Sequence, residues 1–279
     1  MTKTTFILCD AACDVLTEPD PWKKASKTQN YVQKWFNTHN ATIGKTVLPD
    51  RPSRPSKPEL RRANEMPKRR KAGSVSGKIA LLHALAHIEL NAIDLAWDIM
   101  ARFSHFSDEH VKDSNFSLPH AFFDDWCHVA TDEAKHFLML SKRMNDFNAD
   151  YGDHPAHDGL WEASLKTSHD FAARLAIVPM VLEARGLDVT PNMIKSMTNQ
   201  KDMITADILQ TIHDDEITHV AAGTRWFYHW CDFHNKRVKE TWQELVQLYF
   251  NGPLKKPFND PSRIKAGMIP DWYAPLSEI

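Results

Sequence analysis

Two copies of one short pattern carry the chemistry written into this chain. Asp132-Glu133-Ala134-Lys135-His136 stands near the middle, and Asp215-Glu216-Ile217-Thr218-His219 lies 83 residues further on. Each is a Glu-x-x-His with an Asp directly before the Glu. In a helix, residues three apart share a face, so each Glu and His can hold one cation together. Ahead of each copy runs an apolar helical stretch with a single inward Glu, Glu89 within 81–90 and Glu183 within 177–183. The order Glu, Glu-x-x-His, Glu, Glu-x-x-His is the ligand arrangement of a four-helix bundle built around two carboxylate-bridged metal ions.

A carboxylate on an apolar face costs several kcal/mol if it is left unpaired, so it must be neutralised, hydrogen-bonded or metal-bound. Four Glu and two neutral His around two divalent cations sum to zero charge. The mixed oxygen and nitrogen donor set suits iron first and manganese second, and no thiolate stands near the motifs to suggest structural zinc. One ion is expected to take Glu89, Glu133 and His136, and the other Glu183, Glu216 and His219. Glu133 and Glu216 are the expected bridges, with Glu89 and Glu183 as terminal ligands. A metal-bound His commonly donates its other N–H to a carboxylate. The two Asp are the expected acceptors in a crossed pairing, Asp215 to His136 and Asp132 to His219. His83 and His87 lie on a second, polar stripe with Asn91, Asp94 and Asp98. They are read either as proton donor, gate or extra ligand, or as satisfied histidines at the rim.

The elements that must position these residues follow from helical spacing. Residues 1–38 form an N-terminal helical extension, with helices at 4–17 and 22–37 and Asp20-Pro21 as a start signal. A basic, Pro-rich strap covers 39–74. The bundle occupies 75–235, with helices at 75–104, 118–146, 160–185 and 201–232. In that reading Gly186 caps the third helix, a short helix follows at 191–198, and Pro179 kinks the third or opens its hydrogen-bond ladder. Residues 236–279 add a C-terminal helix and a wrapping tail. All of this is expected to form one compact unit of all-α class, with a long crossover between two αα-hairpins that echo each other.

Composition sets the outer limits. The 279 residues carry a formal charge of −2 and 25% charged side chains, which is no global signature of nucleic-acid or membrane binding. Nine Trp and fourteen Phe speak for a packed aromatic interior. No signal peptide or long uninterrupted apolar run is read, and Cys9, Cys13, Cys127 and Cys231 lack zinc-like spacing. The expected location is cytoplasmic. Between Arg51 and Lys71, nine Arg or Lys face two Glu, a local charge of +7. That strap either pairs with acidic helices or offers a surface to an anionic partner such as RNA, although no aromatic residue interleaves the charges.

Several segments carry a resemblance to a known family: Asp20-Pro21-Trp22, His87-Ile88-Glu89-Leu90-Asn91, Asp132-Glu133-Ala134-Lys135-His136, Tyr151-Gly152-Asp153-His154-Pro155, Leu182-Glu183-Ala184-Arg185-Gly186, Asp215-Glu216-Ile217-Thr218-His219 and Pro257-Phe258-Asn259. With these the chain resembles the DUF455 family, within the ferritin-like superfamily of carboxylate-bridged dimetal proteins. That resemblance implies a ferritin-like four-helix bundle with Glu89, Glu133, Glu183 and Glu216 at the reacting centre. The family itself implies no settled activity. The wider superfamily includes oxygen-activating oxidases and hydroxylases, and the expected function is a di-iron oxidoreductase that uses dioxygen on a small organic substrate, fed by an electron donor. The alternatives are metal storage or peroxide removal, and an RNA- or protein-binding module with a structural metal. The extra segments argue for a monomer or dimer rather than a ferritin cage.

Overall fold

Side-chain caps set where the helices begin. Asp20 accepts from the Lys23 amide at 2.9 Å with Pro21 at the first helical position, and Ser74 accepts from the Gly77 amide at 3.1 Å. The structure, a computed structural model, describes residues 5–62, 65–66, 73–104 and 116–277. Among these it is helical, with no strand beyond two isolated bridges, Ile7 with Thr42 and Leu60 with Ala156. The chain divides into two units, Met1–Trp161 and Glu162–Ile279. That division falls inside the 75–235 segment, so each unit carries one lone-Glu segment and one Glu-x-x-His helix.

The first unit contains α1 (Leu8–Leu16), α2 (Pro21–Asn37), α3 (Val75–Arg102) and α4 (His120–Asn145), and α5 (Gly159–Lys166) crosses its end. Helices α3 and α4 pack antiparallel. Met100 and Cys127 sulfurs meet at 3.8 Å near one end, and Glu89 meets His136 further along. Helix α2 lies on α4, where the Trp35 indole N–H donates to Asp124 at 2.8 Å. Over residues 39–62 the strap carries no helix and is held by the Leu8 amide on the Thr42 carbonyl and the Arg61 amide on the Ala156 carbonyl, both at 2.8 Å. Lys68, Arg69, Arg70 and Lys71 of its basic run lie outside the described residues.

Helix α3 is long and apolar enough to cross a membrane by length and composition, with a mean hydropathy of 1.4 over 18 residues. Two observations make it a core helix instead. Two-thirds of that window is buried within the protein, and Glu89, Asp94 and Asp98 are buried along it.

The second unit holds α6 (Phe171–Ile177), a π-helix (Val178–Glu183), α7 (Ala184–Asn199), α8 (Met203–Phe233), α9 (Val238–Tyr249), α10 (Asp260–Lys265) and α11 (Pro270–Tyr273). Here the expected continuous helix 160–185 is corrected. It breaks after Lys166, and Asp170 caps a new start by accepting from the Ala173 amide at 2.9 Å. The buried Arg174 donates to the Ser164 carbonyl at 2.7 Å and to Thr167 Oγ1 at 3.0 Å, which ties the break together. Gly186 is no cap either, since α7 runs through both Gly186 and Pro191. Tertiary bonding outweighs propensity there. Asp188 accepts from Arg263 at 2.7 and 2.8 Å and from the Asn259 amide at 2.9 Å, which holds α7 against the tail.

Candidate metal centre

In the first unit, the helical period of α3 and α4 brings three predicted ligands together. Glu89, Glu133 and His136 are all but fully buried, and each offers a ligand atom within 4.8 Å of the others. His136 Nδ1 lies 3.2 Å from Glu89 Oε2 and 3.6 Å from Glu133 Oε2. Burial pushes the Glu89 carboxyl well above the usual carboxylate range, the neighbouring Glu133 charge raises it further, and the His136 hydrogen bond offsets only part of this. Two carboxylates sunk side by side in an apolar interior are an unfavourable pair unless a positive charge joins them. A divalent cation would supply that charge. The residues fit the group: the buried Glu/His set can hold a metal ion.

In the second unit, Glu216 and His219 sit on α8 with Oε2 and Nδ1 3.7 Å apart, both buried. Glu183, half-buried, is the last residue of the π-helix, which packs against α8. Pro179 has no N–H to give to an α-helical ladder, and the Ala184 amide reaches back to the Pro179 carbonyl in the wider five-residue step. The ladder opening read from Pro179 is therefore a π-helix, which ends on the predicted ligand.

Asp132 pairs with Lys135 at 2.7 Å on its own helix, and the Asp215 carbonyl accepts from Thr218 at 2.8 Å. His83 and His87 hold the 151–157 loop against α3. His83 Nε2 accepts from the Gly152 amide at 2.9 Å, and its ring stacks on Tyr151. His87 Nε2–H donates to the His157 carbonyl at 3.2 Å, so its Nδ1 accepts from the Tyr151 hydroxyl at 2.7 Å. Burial pulls both histidines down, His83 to about 4 and His87 to about 3; a neighbouring His154 adds to the first effect and Arg54 to the second. Both are neutral at pH 7.

Sequence reasoning missed the cluster beside them. Asp94, fully buried, pairs with Lys24 of α2 and with Arg54 of the strap, and Arg54 also donates to Asn91 at 2.6 Å. Burial pulls the Lys24 ammonium down, and Asp94 offsets part of that. The sequence signals were Asp94 on a polar stripe of an otherwise apolar helix and the reading of the basic strap as a partner for acidic helices; nothing local names Lys24, 70 residues away. Arg51 pairs with Asp158 and Arg61 with Glu59, so three of the strap's arginines are engaged internally. A cavity of about 300 Å³ at the C-terminal end of α3, lined by Lys45, Leu48, Arg102 and Ser104 among others, shares no residue with the Glu89 triad.

The comparisons with known proteins agree with one another. The DUF455 family, described as a protein of unknown function, matches residues 17–274. An uncharacterised protein of Haemophilus influenzae is 38% identical over 221 residues, covering 78% of this chain and 75% of that one. No solved structure matches the chain. All six predicted ligands fall within the matched stretch, and the chain belongs to the DUF455 family.

Proposed function

We propose that this protein is a dimetal oxidoreductase on a ferritin-like bundle, with Glu89, Glu133 and His136 holding one divalent ion and Glu183, Glu216 and His219 the other. The observation that carries this reading is the buried Glu89–Glu133–His136 triad, an arrangement whose charge is unfavourable without a cation. The four carboxylates of the two ligand sets would balance two divalent charges. Iron is the first choice and manganese the second. When bound, such a pair supplies reversible one-electron chemistry and open coordination positions for dioxygen.

The chain's own residues supply the surroundings. Phe137, next in sequence to His136, is buried and meets Tyr151 edge to face at 5.4 Å. The substrate class is small and organic, and electrons come from an external donor. An RNA partner is the weaker reading, since Arg51, Arg54 and Arg61 already pair within the chain. Free thiols at all four cysteines suit a cytoplasmic setting.

The test is metal content after anaerobic loading with Fe(II) or Mn(II) and desalting, followed by dioxygen uptake on exposure to air. Wild type is expected to retain two ions per chain and consume dioxygen, while Glu133→Gln and Glu216→Gln retain fewer. Wild type that keeps no ion above the level of these variants sinks the reading. Two ions with rapid peroxide breakdown and no dioxygen uptake would shift it to peroxide removal.

A further inference from the structure

Gly223 lies one helical turn beyond His219 on α8, and its missing side chain is filled by another residue. A Cβ built on Gly223 would sit 2.4 Å from Cγ and 2.5 Å from Cβ of Pro179, far inside van der Waals contact. The Pro179 ring is rigid and joined to its backbone at both ends, so it cannot swing aside as a long side chain would. Here the π-helix makes its close approach to α8.

The register of that approach matters. Helices α7 and α8 are joined by a tight turn at 200–202, where the Asp202 amide bonds back to the Met197 carbonyl and its side chain caps α8 through the Thr205 amide at 3.2 Å. The two helices therefore run antiparallel. With residue 179 opposite 223, four residues forward on one chain segment and four back on the other bring Glu183 level with His219. The same relation holds in the first unit, where Glu89 lies opposite His136 on an antiparallel neighbour.

We propose that Gly223 is a positioning residue for the second metal-binding triad: by admitting the Pro179 ring, it sets the height and depth at which the π-helix delivers Glu183 to Glu216 and His219. This rests on the dimetal reading above. A methyl group at 223 pushes the Pro179 turn away from α8, and Glu183, one wide turn on, moves with it. Displacement of a group that orients a ligand typically costs 10–100-fold in metal affinity.

The experiment is a Mn(II) titration of the full-length apoprotein, with free Mn(II) followed by electron paramagnetic resonance and helix content by circular dichroism. Gly223→Ala is expected to bind one ion like wild type and the second about 10–100-fold more weakly, with helix content unchanged. The double variant Gly223→Ala/Pro179→Gly moves the gap from one helix to the other and is expected to recover much of that loss. A Gly223→Ala protein that titrates like wild type overturns the inference. So does one that loses both ions together with its helix content and is not rescued by the double variant. Glu183→Gln serves as the control: if it titrates like wild type, the dimetal reading itself falls and takes this positioning role with it.

Discussion

At the scale of single residues, the polar stripe of α3 is where burial and titration meet. His83 is held neutral with its Nε2 accepting from the Gly152 amide, and burial pulls its pKa from 6.5 to about 4. Between those values the unfolded chain binds a proton that the folded chain refuses. Stability is therefore complete above pH 6.5 and falls as pH drops through the window, by at most about 1.4 kcal/mol per pH unit for this one group. His87 acts in the same direction. In urea unfolding from pH 7 to pH 4, His83→Gln is expected to show a shallower pH slope than wild type, even if its stability at pH 7 is lower. An unchanged slope would mean that His83 is protonated in the folded protein.

At the scale of elements, α7 shows how far tertiary bonding can override local preference. Gly186 and Pro191 read as an end and a new beginning, yet the helix continues through both, because Asp188 between them is clamped by Arg263 and the Asn259 amide. Both side chains of that ion pair are buried, so removal of one leaves an uncompensated charge. Arg263→Ala is expected to cost about 3–5 kcal/mol of unfolding free energy at pH 7. Arg263→Ala with Asp188→Leu should recover part of it, although the Asn259 amide then loses its acceptor. A loss below about 1 kcal/mol, the range of surface pairs, would show that the clamp opens to water. The same unit explains the π-helix: Pro179 forbids the α step, and Gly223 gives the ring somewhere to go.

At the scale of the whole molecule, each unit packs a segment with a lone Glu against a Glu-x-x-His helix: Glu89 meets His136 across α3 and α4, and the π-helix that ends on Glu183 lies on α8. Each unit buries carboxylates, which an apolar interior accepts when they are protonated, hydrogen-bonded or joined by a cation. Metal that binds the folded chain and not the unfolded one must then stabilise it by mass action, about 2.7 kcal/mol per site when free metal is 100-fold above Kd. The melting temperature is expected to rise with free Mn(II) or Fe(II) concentration and to fall on adding a chelator, reversibly. A melting temperature indifferent to both would mean that the protein balances its buried carboxylates by protonation alone.

Helical periodicity by itself determined the all-helical class, the positions of α3, α4 and α8, and the meeting of Glu89, Glu133 and His136, because an i,i+3 spacing and an apolar stripe are local properties that survive folding. The Asp20 cap and the lack of helix over 39–62 were legible for the same reason: capping and proline act over a few residues. Only the tertiary structure decided the break at 167–170, the π-helix ending on Glu183, and the use of His83, His87 and Asp94 to dock distant segments. Each of those depends on a partner far along the chain. Asp94 needs Lys24 and Arg54, Asp188 needs Arg263, and Pro179 needs the gap at Gly223. Contacts across 40 to 75 residues leave no periodic mark in a sequence, so their chemistry became visible only when the chain had folded.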